Sequence, residues 1–234
     1  MSGHTQAVDA EPAPDALAVM PPGEARWPPI AAVVIVMALN IALRLWLPRD
    51  AAIRLDWLVP SIEAALLITL LTSDPSGPVE RRRMRRIALI LVGLLVLAAL
   101  WATALLVDDL IRGTKVSNSP SELLASGAVV WLGNNLAFAL LYWLFDGGGP
   151  TARSSRSTPV DFAFTQQMSP EIAPPGWRPV FLDYLHLGFT NATAFSPTDV
   201  MPLTLRAKYA MLLQSTVALA VFGLVVARAV NAFT

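Results

Sequence analysis

An all-α polytopic membrane protein is the fold class this sequence predicts, and three observations predict it. Of 234 residues, 55% are hydrophobic and only 15% charged, with a mean hydropathy of +0.55; ordinary soluble domains run near about a quarter charged. The apolar residues gather into separate segments, several of them long enough to cross a bilayer as helices. Proline, glycine and charge gather between those segments.

Taken in order, residues 1–29 are acidic and rich in proline and alanine, with no basic start followed by an apolar run, and read as a disordered tail and not as a signal peptide. Ile30–Leu47, as a helix, reaches about 27 Å, just enough to span. Leu55–Thr72 is interrupted by Asp56, Pro60 and Glu63 and is the weakest span. Ile87–Val107 is almost wholly Leu, Val, Ile and Ala. Leu123–Phe145 follows "SPSE", where Ser119 as cap, Pro120 in the first helical position and Glu122 form a capping box. Residues 146–179, dense in Gly, Pro and Ser, read as a polar linker. Residues 180–195 are apolar but too short to span comfortably, and Ala207–Val230 is a final span. The expected domains are therefore the tail, a four-helix bundle over 30–145, the linker, and a C-terminal module over 180–234. Trp27, Trp57, Trp143 and Trp177 fall near predicted ends as interface anchors.

Composition narrows function. Lysine plus arginine number 17 and equal aspartate plus glutamate, so global charge implies no nucleic-acid partner. There is no cysteine, and His4 and His186 are the whole histidine complement, so neither a thiolate nor a histidine-rich metal site is expected. "GGGP" at 147–150 lacks the Lys-Ser/Thr of a phosphate loop, and no nucleophile–base set is evident. No enzyme, cofactor or metal is expected; the bilayer is the expected partner.

"ERRRMRR" at 80–86 places five arginines between the second and third spans, which the positive-inside rule puts in the cytoplasm. Arg26, Arg153, Arg156, Arg178, Arg206 and Lys208 fall on the same side, leaving Arg44, Arg49, Arg54, Arg112, Lys115 and Arg228 opposite. Both the N-terminus and the short 180–195 segment then lie at the cytoplasmic face.

Polar residues inside the apolar segments are candidate sites. Glu63 is a proton or cation site, the partner of Arg44, or an acid placed near an interface. Asn134 and Asn135 are expected to hydrogen-bond between helices, and His186 to pair with Asp183 three residues earlier. Thr216, Ala220, Gly223 and Ala227 share one face of the last helix, either as a helix–helix contact or as a pore lining.

The stretch "FTNATAFSPTDVMPLT" (189–204) sets a polar turn between the short helix and the last one. "SPTD" reads as a further capping box or as part of a lining. In order and composition this region resembles the pore module of tetrameric potassium-channel-like proteins, whose motif runs T-V-G-Y-G-D-x-x-P before the inner helix. Thr193 matches the filter threonine, Asp199 the acid that closes the filter, Pro202 the following proline and Lys208 the basic residue opening the inner helix. The "GWRP…FLDYL…FTNATAFSPTD…MPLT…RAK" signature also resembles uncharacterised bacterial integral membrane proteins.

The pore resemblance implies a re-entrant helix, a homotetramer in the inner membrane and a path for monovalent cations. Both filter glycines are absent and the Thr193–Asp199 interval is one residue longer, so a potassium-type carbonyl ladder is not implied. What remains are Thr190, Asn191, Thr193, Phe195, Ser196, Thr198 and Asp199, the lining of a wider, weakly selective cation pore. The other functions expected are a non-conducting, channel-derived assembly element and a small transporter built on Glu63.

Overall fold

The computed structural model describes residues 27–46, 58–72, 78–112, 120–154, 159–193 and 199–233. Apart from one pair of three-residue strands, the regular elements among the described residues are helices. The elements are α1 (Trp27–Trp46), α2 (Leu58–Thr72), α3 (Pro78–Arg112), α4 (Pro120–Phe145), α5 (Pro150–Ser154), β1 (Phe162–Phe164), α6 (Thr165–Met168), α7 (Phe181–Thr193), β2 (Val200–Pro202) and α8 (Leu205–Phe233).

Three helices are long and apolar enough to cross a membrane, over Arg82–Ile111, Ser121–Gly148 and Leu205–Ala227, and they make this a membrane protein. Two shorter apolar helices accompany them, over Trp27–Leu43 and Leu58–Thr72. Large apolar side chains such as Ile90, Leu97, Trp101, Leu212, Leu219 and Phe222 stand exposed on the outside of the bundle. An apolar exterior of this extent is what lipid solvates.

Element ends follow local chemistry. Proline opens both α3 and α4, where its missing N–H costs nothing. The "ERRRMRR" segment, expected as a loop, is the opening of α3: arginine is a good helix former, and the segment runs without a breaker into Ile87.

α4 is the central element. It packs against α1, α3, α7 and α8, and Leu136–Leu140 are all buried. At Gly127 a Cβ would stand 2.8 Å from Val225 Cγ2, so α4 and α8 approach as closely as only glycine permits there. One core includes Val36 of α1, Leu95 of α3, Phe138 and Tyr142 of α4, Phe162 of β1, Tyr184 and Leu187 of α7 and Met211 of α8. The C-terminal elements expected as a separate module therefore share their core with the bundle.

Residues 146–179, expected as a linker, fold against the end of that bundle. A 3-10 turn at Asp146–Gly148, with Gly147, Gly148 and Gly149 all at positive φ, reverses the chain after α4. β1 then pairs antiparallel with β2, Phe162 opposite Pro202, Ala163 opposite Met201 and Phe164 opposite Val200. Hydropathy alone hid this order, because the segment buries few but large side chains. Phe162 and Phe164 pack edge-on against Tyr142 and Tyr184, and Trp177 packs on Phe164. Of the expected interface tryptophans, Trp143 meets Phe181 edge-on, Trp27 is exposed, and Trp57 lies outside the described residues.

Candidate functional site

α7 is the half-length element that the polar turn follows, and its own sequence sets its ends. Asp183 reaches back so that its Oδ2 accepts the Val180 N–H at 2.7 Å, the carboxylate half of a capping box. Asp183 is thus a helix cap and does not hold His186. His186 instead points its Nε2 to within 3.5 Å of Asp199 Oδ2, across the return of the chain.

The contacts of α7 fix its course. Phe181 lies against Trp143, and Tyr184 donates from its hydroxyl to Asp146 Oδ2, so the helix starts beside the end of α4. A Cβ on Gly188 would be 2.8 Å from Asn135 Oδ1, and Phe189 sits edge-on to Trp131. The helix therefore runs antiparallel to α4, reaching about 15–20 Å along it, and stops about half-way down the bundle. The chain is back at the starting end by Asp199, whose carbonyl accepts from the Thr165 N–H at 3.1 Å and Thr165 Oγ1 at 2.7 Å.

Where α7 ends, a buried amide and hydroxyl network binds it to α4 and α8. Tyr142 donates to Gln214 Oε1 at 2.7 Å, and Asn191 Nδ2 donates to the same oxygen at 2.8 Å and to the Met211 carbonyl at 3.0 Å. Gln214 Nε2 donates to the Gly188 carbonyl at 3.0 Å, and Ser215 donates to Asn191 Oδ1 at 3.0 Å. Three helices thus share one buried polar seam.

Where α7 and α8 begin, two carboxylates organise the fold. Asp146 Oδ1 accepts the N–H groups of Asp161 (2.6 Å) and Phe162 (3.2 Å) while its other oxygen takes the Tyr184 hydroxyl. Asp161 receives a bidentate pair from Arg206, the Thr204 hydroxyl at 2.6 Å and the Gly147 N–H at 3.1 Å. Arg206 also lies over the Phe145 ring at 5.5 Å, and Arg153 over Tyr184 at 5.0 Å.

Burial pushes the Asp161 carboxyl up, but the hydrogen bonds from Arg206, Thr204 and the Gly147 amide outweigh it and hold the group below the usual carboxylate range. A carboxylate held low contributes stability at neutral pH that is lost as pH falls through its folded value. Melting of the purified protein should accordingly drop as pH falls below about 4. In Asp161→Asn the melting temperature at neutral pH should already be low, and this acid-dependent part should be absent. An identical acid profile in both proteins would show that another group is responsible.

The sequence-picked residues divide among these surroundings. Thr190 is half-buried and bonds back to the His186 and Leu187 carbonyls of its own helix, and exposed Thr193 does the same to Phe189 at 2.8 Å. Asn191 is buried in the seam. Asp199 Oδ1 is buried and accepts no hydrogen bond from a described residue. Phe195, Ser196 and Thr198 lie outside the described residues.

On α8, Thr216, Ala220, Gly223 and Ala227 are all exposed, while Gln214, Ala218, Val221 and Val225 face the core. A Cβ on Gly223 would meet nothing within 4 Å, so no neighbour within the chain requires glycine there.

Glu63 is 1% exposed on α2, which packs on α3, and the side chain of Arg44 lies outside the described residues. Asn134 and Asn135 are both buried, yet neither Oδ1 accepts a hydrogen bond from a described residue. Asn135 lies over Gly188, which has no side chain to offer, and the nearby Gln214 amide is already given to the Gly188 carbonyl.

Sequence reading missed Tyr142, Asp146, Asp161, Tyr184, Arg206 and Gln214. Gln214 had a visible signal, a lone amide inside the last apolar run. Asp161 had a weaker one, an acid set directly before the apolar triplet "FAF". Comparison of the chain with protein-family models, curated proteins and solved structures finds no match.

Proposed function

We propose that this membrane protein is one subunit of a weakly selective cation pore, with α7 as a re-entrant helix, the polar stretch 189–204 as the source of its lining and α8 as the inner helix. One observation supports this reading above the others. The half-length α7 starts beside the end of α4, stops half-way along it, and the chain returns to the same end at Asp199. Bare backbone at membrane depth needs protein or water around it, and sister subunits about an axis would supply both. The C-terminal end of α7 carries the negative end of its helix dipole, which favours a cation in the space beyond. Exposure of Thr216, Ala220, Gly223 and Ala227 leaves that face of α8 available to an axis or to a neighbouring subunit.

The test uses the full chain in liposomes. Monovalent cations should pass with little discrimination between sodium and potassium, and Asp199→Asn should reduce the flux several-fold. The particle should be a tetramer in detergent. A strict monomer with no flux at any voltage or pH would refute the pore.

A specific observation favours a second reading. Asn191, which the lining would use, is buried inside its own subunit and bonded to Gln214 and Met211. A channel-derived assembly element that does not conduct has that character: tetramer present, flux absent. Burial of Glu63 favours the third, a transporter. Flux unchanged in Glu63→Gln would discard it.

A further inference from the structure

The opening of α3 carries one acid, Glu80, against a run of arginines. Arg82, Arg83, Arg85 and Arg86 are all exposed on its first turns, directly before Ile87 begins the apolar run. Arg82 and Arg85, and Arg83 and Arg86, are three apart, and Arg82 and Arg86 four apart, so like charges meet on one helix surface. They also crowd toward the positive end of the helix dipole. Among the described residues none of the four shares an ion pair with a carboxylate.

Their position in the fold is informative. Arg85 lies next to Gly149, where an added Cβ would stand 3.8 Å from its Nε, so this cluster shares the end of the bundle at which α4 stops and α7 and α8 begin. Exposed Arg178 and Lys208 lie on segments that meet at that end. Half-buried Trp143 and Trp177 stand there too, packed on Phe181 and Phe164. A ring of cations one turn beyond an apolar span, flanked by tryptophan, lies at the level of lipid headgroups.

We infer that Arg82, Arg83, Arg85 and Arg86 form a binding surface for anionic phospholipid headgroups, whose phosphates relieve the repulsion built into the start of α3. Guanidinium groups suit this ligand because their planar forks bind phosphate oxygens bidentately and remain charged at every physiological pH. The surface is independent of whether the polar turn conducts.

The full chain, delipidated in neutral detergent, is examined by native mass spectrometry with phosphatidylglycerol and phosphatidylcholine. Phosphatidylglycerol should bind at least about tenfold more tightly, and affinity should fall about fivefold for each arginine neutralised. Arg82→Gln/Arg86→Gln and Arg83→Gln/Arg85→Gln should each show it, with phosphatidylcholine binding unchanged. Melting of both variants in neutral discs should be unchanged or higher, since repulsion has been removed. Equal binding of the two lipids by the native chain would overturn the inference. So would displacement of phosphatidylglycerol by equimolar inorganic phosphate, or a lower melting temperature of the variants in neutral discs, which would make the arginines structural.

Discussion

Asp146→Ala should destabilise the protein by about 3–5 kcal/mol. The carboxylate is fully buried where α4 ends, and it is the shared acceptor for three donors on two other segments. Truncation leaves the buried Asp161 and Phe162 amides and the Tyr184 hydroxyl without their shared acceptor, and each orphaned group costs about 1–3 kcal/mol. Asp146→Asn should be milder. Its Oδ1 still accepts both amides, and the Tyr184 hydroxyl can turn to accept from the new Nδ2. Chemical unfolding of the purified protein in mixed micelles gives the measurement. A loss in the alanine variant no greater than that of exposed Glu171→Ala would remove Asp146 as an anchor.

Gln214→Leu is expected to cost about 2–3 kcal/mol while preserving side-chain volume. The substitution strips the Tyr142 hydroxyl of its acceptor and the Gly188 carbonyl of its second donor, and leaves Asn191 with the Met211 carbonyl and Ser215. Hydrogen bonds within a membrane average only about 0.6 kcal/mol each. The larger figure arises because the leucine leaves the buried Tyr142 hydroxyl without its acceptor. That distinction is measurable. Removing the second partner as well, in Gln214→Leu/Tyr142→Phe, should recover part of the loss, with a coupling of at least about 0.5 kcal/mol. Strict additivity would mean that the two side chains do not act together. Loosening of the seam also frees the end of α7 from α8, so in a conducting assembly the same variant should alter flux.

Legibility in the sequence followed the physics of each element. Apolar runs at helical length revealed α1, α2, α3, α4 and α8, and Pro120 with Glu122 placed the start of α4 within the first helical positions. The extent of α3 was understated, because hydropathy ends at the arginines while helix propensity does not. The strands were illegible: three residues each, they are held by a pairing partner distant in sequence and by aromatic packing, and neither leaves a local pattern. Asn191, Thr193 and Asp199 were found from their polarity, but polarity does not say which way a helix turns its face. Asn191 points inward to Gln214 and Thr193 outward. Proximity of Asp199 to His186 links residues thirteen apart in sequence, and only the three-dimensional structure supplies it.

The pairing of Phe162–Phe164 with Val200–Pro202 has a consequence for biogenesis. A ribosome delivers β1 and Asp161 well before Arg206 and β2 exist, so the nascent chain must hold Asp161 without its guanidinium partner and β1 without its pairing strand. Everything ahead of α7 can insert as it is synthesised, whereas closure of this end of the bundle waits for the start of the last helix. A chain halted just short of residue 200 would therefore be left unsealed at that end, and quality-control proteases would meet it there first.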